Sequence, residues 1–378
     1  MGKWLEEIDS ILITESQQPT CLLIKGKLYF LRKNFELAIE LLSSIQESSL
    51  KNEKRRRELL ILKSKLYFEL NKPEKAFSLL EEEGNKESPQ SYLFWVQWIR
   101  FKIMQGEYEK GREKIQNLTQ KYGNHLPCLA LLQLLSSRIL LRLGEYKEGF
   151  QKAKQAGQIF YQLGELAYLH ESWLIEANIL KEQYRWEESL PLLKRAYSLA
   201  LLLEEPSYIW KTLTLLGEIE YLLGEKKKGS SHLLEAIFLA NQEREPEGLC
   251  ELLMILGKIH LHRKDISRAE VLMRKARELS KEKNIPYLLA RVDFLSAQVG
   301  RLLGDESIEE ALRERALRTF HDLGNRKEFC EVLLDKLTRR KEKGIYSESG
   351  FLKKFKDALT KLEIPYLLQE FQKLEENE

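Results

Sequence analysis

Between Ser137 and Ala316 the chain repeats itself every 40 residues, and few architectures accommodate such a period. Small residues recur at Ser137, Ala177, Gly217, Gly257 and Ala297. A second small column follows nineteen positions later, at Ala156, Ala196, Ala236, Ala276 and Ala316. Prolines stand 40 apart at Pro206, Pro246 and Pro286, and Leu-Gly pairs stand two periods apart at Leu143-Gly144, Leu223-Gly224 and Leu303-Gly304. Glycine and proline sit at joints rather than inside elements, which predicts an all-helical chain. A fixed period of this size is the mark of a solenoid, in which each unit packs only on its neighbours and length adds linearly.

Earlier hairpins carry the same spacing less strictly. Gly26, Tyr29, Phe35 and Ala38 lie at offsets of 3, 9 and 12, and Ser64, Tyr67 and Ala76 repeat the pattern with Asn71-Lys72-Pro73 as the break. Gly106-Glu107-Tyr108 and Gly144-Glu145-Tyr146 share one turn form, although Ile99 occupies the small position of the third hairpin. This arrangement resembles the tetratricopeptide repeat (TPR) family, mostly in a 40-residue form of its usual 34-residue period. Small residues are needed where helix backbones cross, and aromatics fill the wedge beside them. The resemblance implies a right-handed α-solenoid of about eight helical hairpins with terminal caps. The expected organisation is a capping helix over residues 1–17, with Trp4, Leu5, Ile8, Ile11 and Leu12 on one side, then the array over 18–324. A degenerate hairpin and capping helices are expected over 325–378, including amphipathic helices near 348–361 and 364–376. A partner-binding role for the Phe351/Phe355/Leu359 stripe stays open beside the capping one.

Composition excludes several classes. Hydrophobic residues make up 43% and charged residues 31%, with a net charge of +3, so no global attraction to nucleic acid or anionic membrane is expected. The basic runs Lys54–Arg57 and Lys226–Lys228 do not interleave with aromatics, which argues for solvated faces over phosphate contact. Cys21, Cys128, Cys250 and Cys330 are far apart and show no metal or disulfide spacing, so reduced, mostly buried thiols are expected. Two acids at Glu6 and Glu7 stand where a signal peptide would be apolar, and the apolar run Leu126–Leu141 is broken by Gln133, two serines and Arg138. The expectation is a cytoplasmic protein without membrane insertion.

No phosphate loop, nucleophile elbow or metal motif is present, and His260 and His262 point about 200° apart on a helix. Neither an enzyme nor a cofactor is expected. The candidate site is therefore the inner stripe of the first helices. With the small position at zero, residues at −6, −3, +1, +4 and +5 fall between about 40° and 140°. In TPR proteins the corresponding stripe lines the concave groove. The +1 column reads Lys27, Lys65, Arg100 and Arg138, a basic ladder, then Asn178, Glu218, Lys258 and Gln298. Leu23 and Ile61 of the −3 column, with Phe30 and Phe68, form an apolar strip beside it. Two readings stand: a clamp for an acidic extended segment, or basic side chains snorkelling over apolar surface. The second half carries Asn178, Lys181, Glu182, Glu218 and Tyr221, a mixed lining that suggests a different ligand or none.

These observations predict a non-enzymatic scaffold or adaptor that recognises a partner protein or an acidic, extended peptide segment in its groove. The alternative is a ligand- or peptide-responsive regulator acting through a partner, since 40-residue TPR arrays resemble the sensor portions of bacterial transcriptional activators and peptide-pheromone regulators.

Overall fold

The structure, a computed structural model, describes residues 18–376 except 51, 87, 89, 244, 283, 284, 346–348 and 363. The capping helix expected over 1–17 lies outside the described residues. Among the described residues there are nineteen α-helices, one 3-10 turn and no strand. The chain divides into two units, one through Phe101 and one from Lys102.

Unit one is built from α1 (Pro19–Leu31), α2 (Phe35–Ser43), α3 (Glu53–Glu69), α4 (Pro73–Gly84) and the start of α5 (Tyr92–Gln105). Its core gathers Leu23, Ala38, Leu42, Ile45, Leu59, Leu62 and Leu66. Trp95 and Trp98 are both buried, their indole N–H groups donating to the Gly84 carbonyl and the Glu81 carboxylate, each at 2.9 Å. Neither is a surface anchor. Arg56, from the first basic run, donates to Glu83 at 3.0 Å and to Glu47 at 3.2 Å, so that run includes a structural ion pair.

Unit two begins with the end of α5, continues through α6 (Tyr108–Tyr122) and then settles into a cadence. The next helices are α7 (Leu126–Leu143), α8 (Tyr146–Leu163), α9 (Leu166–Glu182), α10 (Trp186–Leu203) and α11 (Pro206–Leu222). They are followed by α12 (Lys226–Gln242), α13 (Pro246–His262), α14 (Ile266–Glu282), α15 (Pro286–Leu303), α16 (Glu306–Asp322) and α17 (Arg326–Glu342). Each starts 20 residues after the last, from 126 to 326. The three periodic prolines fill the N1 or N2 position of α11, α13 and α15, where no backbone donor is lost. Then come α18 (Ser349–Lys361) and α19 (Pro365–Glu376).

The turn inside each hairpin has one backbone solution. Gly144, Tyr184, Gly224, Lys264, Gly304 and Gly344 all adopt positive φ, between 60° and 94°. After each, an N–H closes back five residues at 2.9 Å: Glu145 to Leu140, Arg185 to Leu180, Glu225 to Glu220, Asp265 to His260, Asp305 to Gly300 and Ile345 to Arg340. This is the Schellman closure, which satisfies carbonyls that a helix end leaves orphaned. Glycine stands at four of these six turns, while Tyr184 and Lys264 accept the left-handed strain, of the order of 1–2 kcal/mol. The register runs one hairpin turn past Gly324, where the sequence pattern loosens.

Helix α7 is 18 residues long and apolar enough by composition to cross a membrane, but 56% of it is buried within the array. It packs against α6, α8 and α9, so its hydrophobicity is that of a core helix. Both periodic small columns are buried where helices cross. The closest crossing is in the α11/α12 hairpin. A Cβ on Gly217 would lie 2.8 Å from the Gly229 carbonyl oxygen, and one on Gly229 would lie 2.5 Å from that of Gly217. At Gly257 the obstacle is only the flexible end of Met273. Gly217→Ala is therefore expected to lower stability by about 1–3 kcal/mol in urea titration, while Gly257→Ala costs much less.

Glu176 on α9 is 6% exposed and faces Gly157 on α8. Burial raises its carboxyl from 4.5 to about 7, against the opposing charge of Lys154. The folded chain thus holds the proton more tightly than the unfolded chain. This contribution is fully present below pH 4.5 and lost as pH rises through about 7. Glu176→Gln should flatten that decline, leaving the variant about 1–3 kcal/mol more stable than the parent at about pH 8 in denaturant titrations.

Candidate functional site

In unit two the inner faces of the first helices surround a cavity of about 780 Å³. The stripe columns defined from the sequence supply much of its wall: Lys181 and Glu182 on α9, Glu218 and Tyr221 on α11, Lys258 and His262 on α13, and Gln298 on α15, with Arg291, Phe294 and Arg301 of α15 in the same columns. Leu222, Ile255, Ile259 and Leu295 add apolar surface, and α19 contributes Tyr366, Leu367 and Glu370. A larger outer recess of about 900 Å³ lies beside the α7–α8 turn, α17 and α18. Of its charged lining residues, Lys147, Glu148, Arg326, Lys354, Asp357 and Lys361 are exposed and Glu145 is half-buried, so most lack the desolvation that strengthens polar contacts inside.

The cavity is partly enclosed because α17 returns to α7 and α9. Asn325 donates its amide to the Arg142 carbonyl at 2.7 Å, 183 residues away. Lys327 pairs with Glu182 and, at 3.1 Å, with Glu331, while the Tyr184 hydroxyl donates to Glu331 at 3.1 Å. Tyr366 stacks on Tyr184 with ring centroids 4.3 Å apart. Lys181 joins the same network, 3.0 Å from Glu218 and 3.3 Å from Glu182. Burial opposes these charges, but mutual attraction dominates. Glu182 is held well below the usual carboxylate range by Lys327 and Lys181, and Lys327 well above the usual lysine range by Glu182 and Glu331. Glu328 is different: burial raises its carboxyl, while the Tyr287 hydroxyl donates to it at 2.6 Å.

The individual site residues fall unevenly. Leu23 is a correction: at 2% exposed it belongs to the unit-one core, because the −3 position there points between helices rather than into a groove. Val96, Leu134, Thr214 and Met254 of the same column are likewise buried, whereas Phe294 reaches the cavity. Lys27 pairs with Glu58, and Arg138 is 3.0 Å from Glu171, so both ends of the basic column have carboxylate partners. Burial, reinforced by the charge of Arg100, pulls the Lys65 ammonium below the usual lysine range. Ile61 is half-buried; Phe30 packs 5.7 Å from Phe35, and Phe68 stacks on Phe101 at 4.1 Å, so both rings serve hairpin packing. Asn178 holds a buried side-chain oxygen without a hydrogen-bond partner among the described residues. The Tyr221 hydroxyl accepts from the Arg263 guanidinium at 3.0 Å.

Tyr184, Tyr287, Arg291, Lys327, Glu328 and Glu331 were not singled out from the sequence. Arg291 occupies the −6 column and was open to discovery there; the closing contacts across about 145 residues left no local signal. Among the described residues no cluster of three metal-capable side chains exists, and Cys128, Cys250 and Cys330 are buried thiols pushed up to about 12 by desolvation.

No protein-family model matches the chain, and no curated protein matches it. Solved structures do. A Rap protein complexed with competence and sporulation factor superposes with a TM-score of 0.62 at 16% identity, over 96% of this chain and 100% of that one. The APC/C hetero-tetramer Cut9-Hcn1 gives 0.52 at 13% identity, over 93% and 76% of the two chains. Aspartyl phosphate phosphatase F from Bacillus subtilis gives 0.51 at 14%, over 95% and 94%. The fold is an all-α, TPR-like helical repeat. At these identities the likeness concerns fold.

Removing Lys327 leaves Glu182 and Glu331 without their shared cation in a site where Lys327 is only 7% exposed. Lys327→Met is expected to destabilise unit two by about 3–5 kcal/mol, with hydrogen exchange rising first in α17 and α19. Adding Glu182→Gln should recover part of the loss.

Proposed function

We propose that the protein is a non-enzymatic adaptor that holds a peptide or a segment of a partner protein inside the unit-two cavity. The observation that carries this reading is the cavity itself: a partly open wall in which apolar side chains alternate with many charged groups, roomy enough for a short segment. Residues 325–378 would then act as its closing cap, with α17 completing the ring and α19 covering it. In unit one we assign Lys65 and Arg100, consecutive members of the basic column, to acidic groups of a partner. The likeness to a Rap protein complexed with a peptide factor and to the Cut9-Hcn1 hetero-tetramer supports a binding role, and we place that role in the cytoplasm.

A second reading is favoured by the closure. The contacts that seal the cavity are the ones that join α17 and α19 to α7, α9 and the turn after α9, so an occupant would bias the opening of unit two. That is the behaviour of a ligand-responsive regulator acting through a partner.

A photo-crosslinking residue at Leu222, 39% exposed on the cavity rim, should capture a defined segment in the native host, identified by mass spectrometry. The same group at Phe238, 62% exposed and outside the cavity lining, should not. Capture at Phe238 alone, or none at Leu222, would sink the interior-groove reading.

A further inference from the structure

Along the edge of unit two that carries the turns inside the hairpins, charge is unevenly distributed. The helices that follow these turns begin with carboxylates at α8 (Glu148), α10 (Glu187 and Glu188) and α16 (Glu306 and Glu309). That is the favourable sign for the positive end of a helix dipole. Between α10 and α16, helices α12 and α14 have no acid in their first turn. Helix α12 opens instead with Lys226, Lys227 and Lys228, and α14 follows Arg263 and Lys264. The two turns are neighbours in space: the Arg263 guanidinium lies 5.4 Å from the Tyr221 ring centroid and donates to its hydroxyl at 3.0 Å. The acids of these turns are already engaged. Glu225 pairs with Lys228 at 3.6 Å, and Asp265 lies 3.1 Å from His260 and 3.4 Å from Arg268. Lys226, Lys227, Arg263 and Lys264 are exposed, and among the described residues none has a carboxylate within ion-pair distance.

Cations at the start of α12 oppose its dipole and repel one another, so local stability does not account for them. In the next hairpin, at the end of α15, Leu302 and Leu303 are 50% and 56% exposed. We propose that the α11–α12 and α13–α14 turns form a docking edge, outside the cavity, for a short acidic segment of a partner protein, with Leu302 and Leu303 receiving its aliphatic side chains. Packed helices lie about 8–10 Å apart, so the edge from α12 to the end of α15 spans roughly 20 Å, about six residues of extended chain. Exposed Glu187 on α10 and Glu310 on α16 bound it. They repel a long polyanion or an anionic bilayer laid along the array and tolerate a segment that ends within the patch. No Phe, Tyr or Trp occurs in residues 222–228 or 262–268 to stack on bases. The edge requires no occupant in the cavity, so it stands apart from the interior-groove reading.

The test uses the full chain and a fluorescein-labelled acidic octapeptide, Glu-Leu-Glu-Glu-Leu-Glu-Glu-Leu, with its Gln-for-Glu counterpart. Fluorescence anisotropy at low salt should show the acidic peptide binding at least about tenfold more tightly than the neutral one, an advantage that shrinks as salt rises. Lys226→Glu with Lys227→Glu, or Lys264→Glu alone, should weaken that binding at least about fivefold, while Lys264→Arg retains it. Leu302→Ser with Leu303→Ser should weaken it about threefold or more without changing its salt dependence. The double reversal on α12 places carboxylates at the helix start, so it should also raise the melting temperature by about 2 °C or more; lost binding is then not lost folding. Lys194→Glu with Arg195→Glu, exposed on α10 outside the patch, controls for net charge and should leave binding unchanged. Equal binding of both peptides, no binding up to about 1 mM, unchanged affinity in both patch reversals, or an equal loss in the α10 control overturns the docking edge. Tighter binding of an oligothymidylate of about 20 nucleotides, or of phosphatidylserine vesicles, than of the acidic peptide overturns it in favour of a polyanion or a membrane surface.

Discussion

Everything in unit two depends on how closely two helix backbones approach inside each hairpin. At the α11/α12 crossing there is no room for a single Cβ at either Gly217 or Gly229. That contact sets the angle of the hairpin, and the Schellman closure after each first helix sets its turn. Repeating both every 40 residues stacks the hairpins in one register and turns the same stripe of each first helix inward. The cavity lining is a consequence of that repetition rather than of any local motif.

The closing network is the second constraint, and it is of a different kind. A solenoid has free ends, and nothing in neighbour-to-neighbour packing brings α17 back to α7 and α9. The work is done by charges and aromatic rings: Lys327 with Glu182 and Glu331, Asn325 with the Arg142 carbonyl, Tyr366 on Tyr184. Buried ion pairs contribute little net stability but penalise any arrangement that separates them, so they specify one closure.

The functional picture follows from the interior, with unit one contributing its own surface. A TPR-like repeat explains the architecture and leaves the ligand to the side chains on the stripe. In unit one Lys27 of the basic column is paired with Glu58, while in unit two the polar lining that looked indifferent on paper is the richer surface.

The sequence by itself determined the period, the all-helical class, the positions of the joints and the stripe that faces inward, because each of these follows from spacing along one helix or between adjacent ones. Arg291 and Lys258 could be placed on that stripe by counting from Ala297 and Gly257. Only the tertiary structure decided which charges have partners. Lys327 and Glu182 are 145 residues apart, and their meeting depends on the accumulated rotation of several hairpins, a sum of small angles that no local pattern encodes. The same holds for Leu23, whose column position is shared with Phe294 but whose neighbours bury it. Periodicity reports the direction in which a side chain leaves its helix; what it meets there is settled by packing.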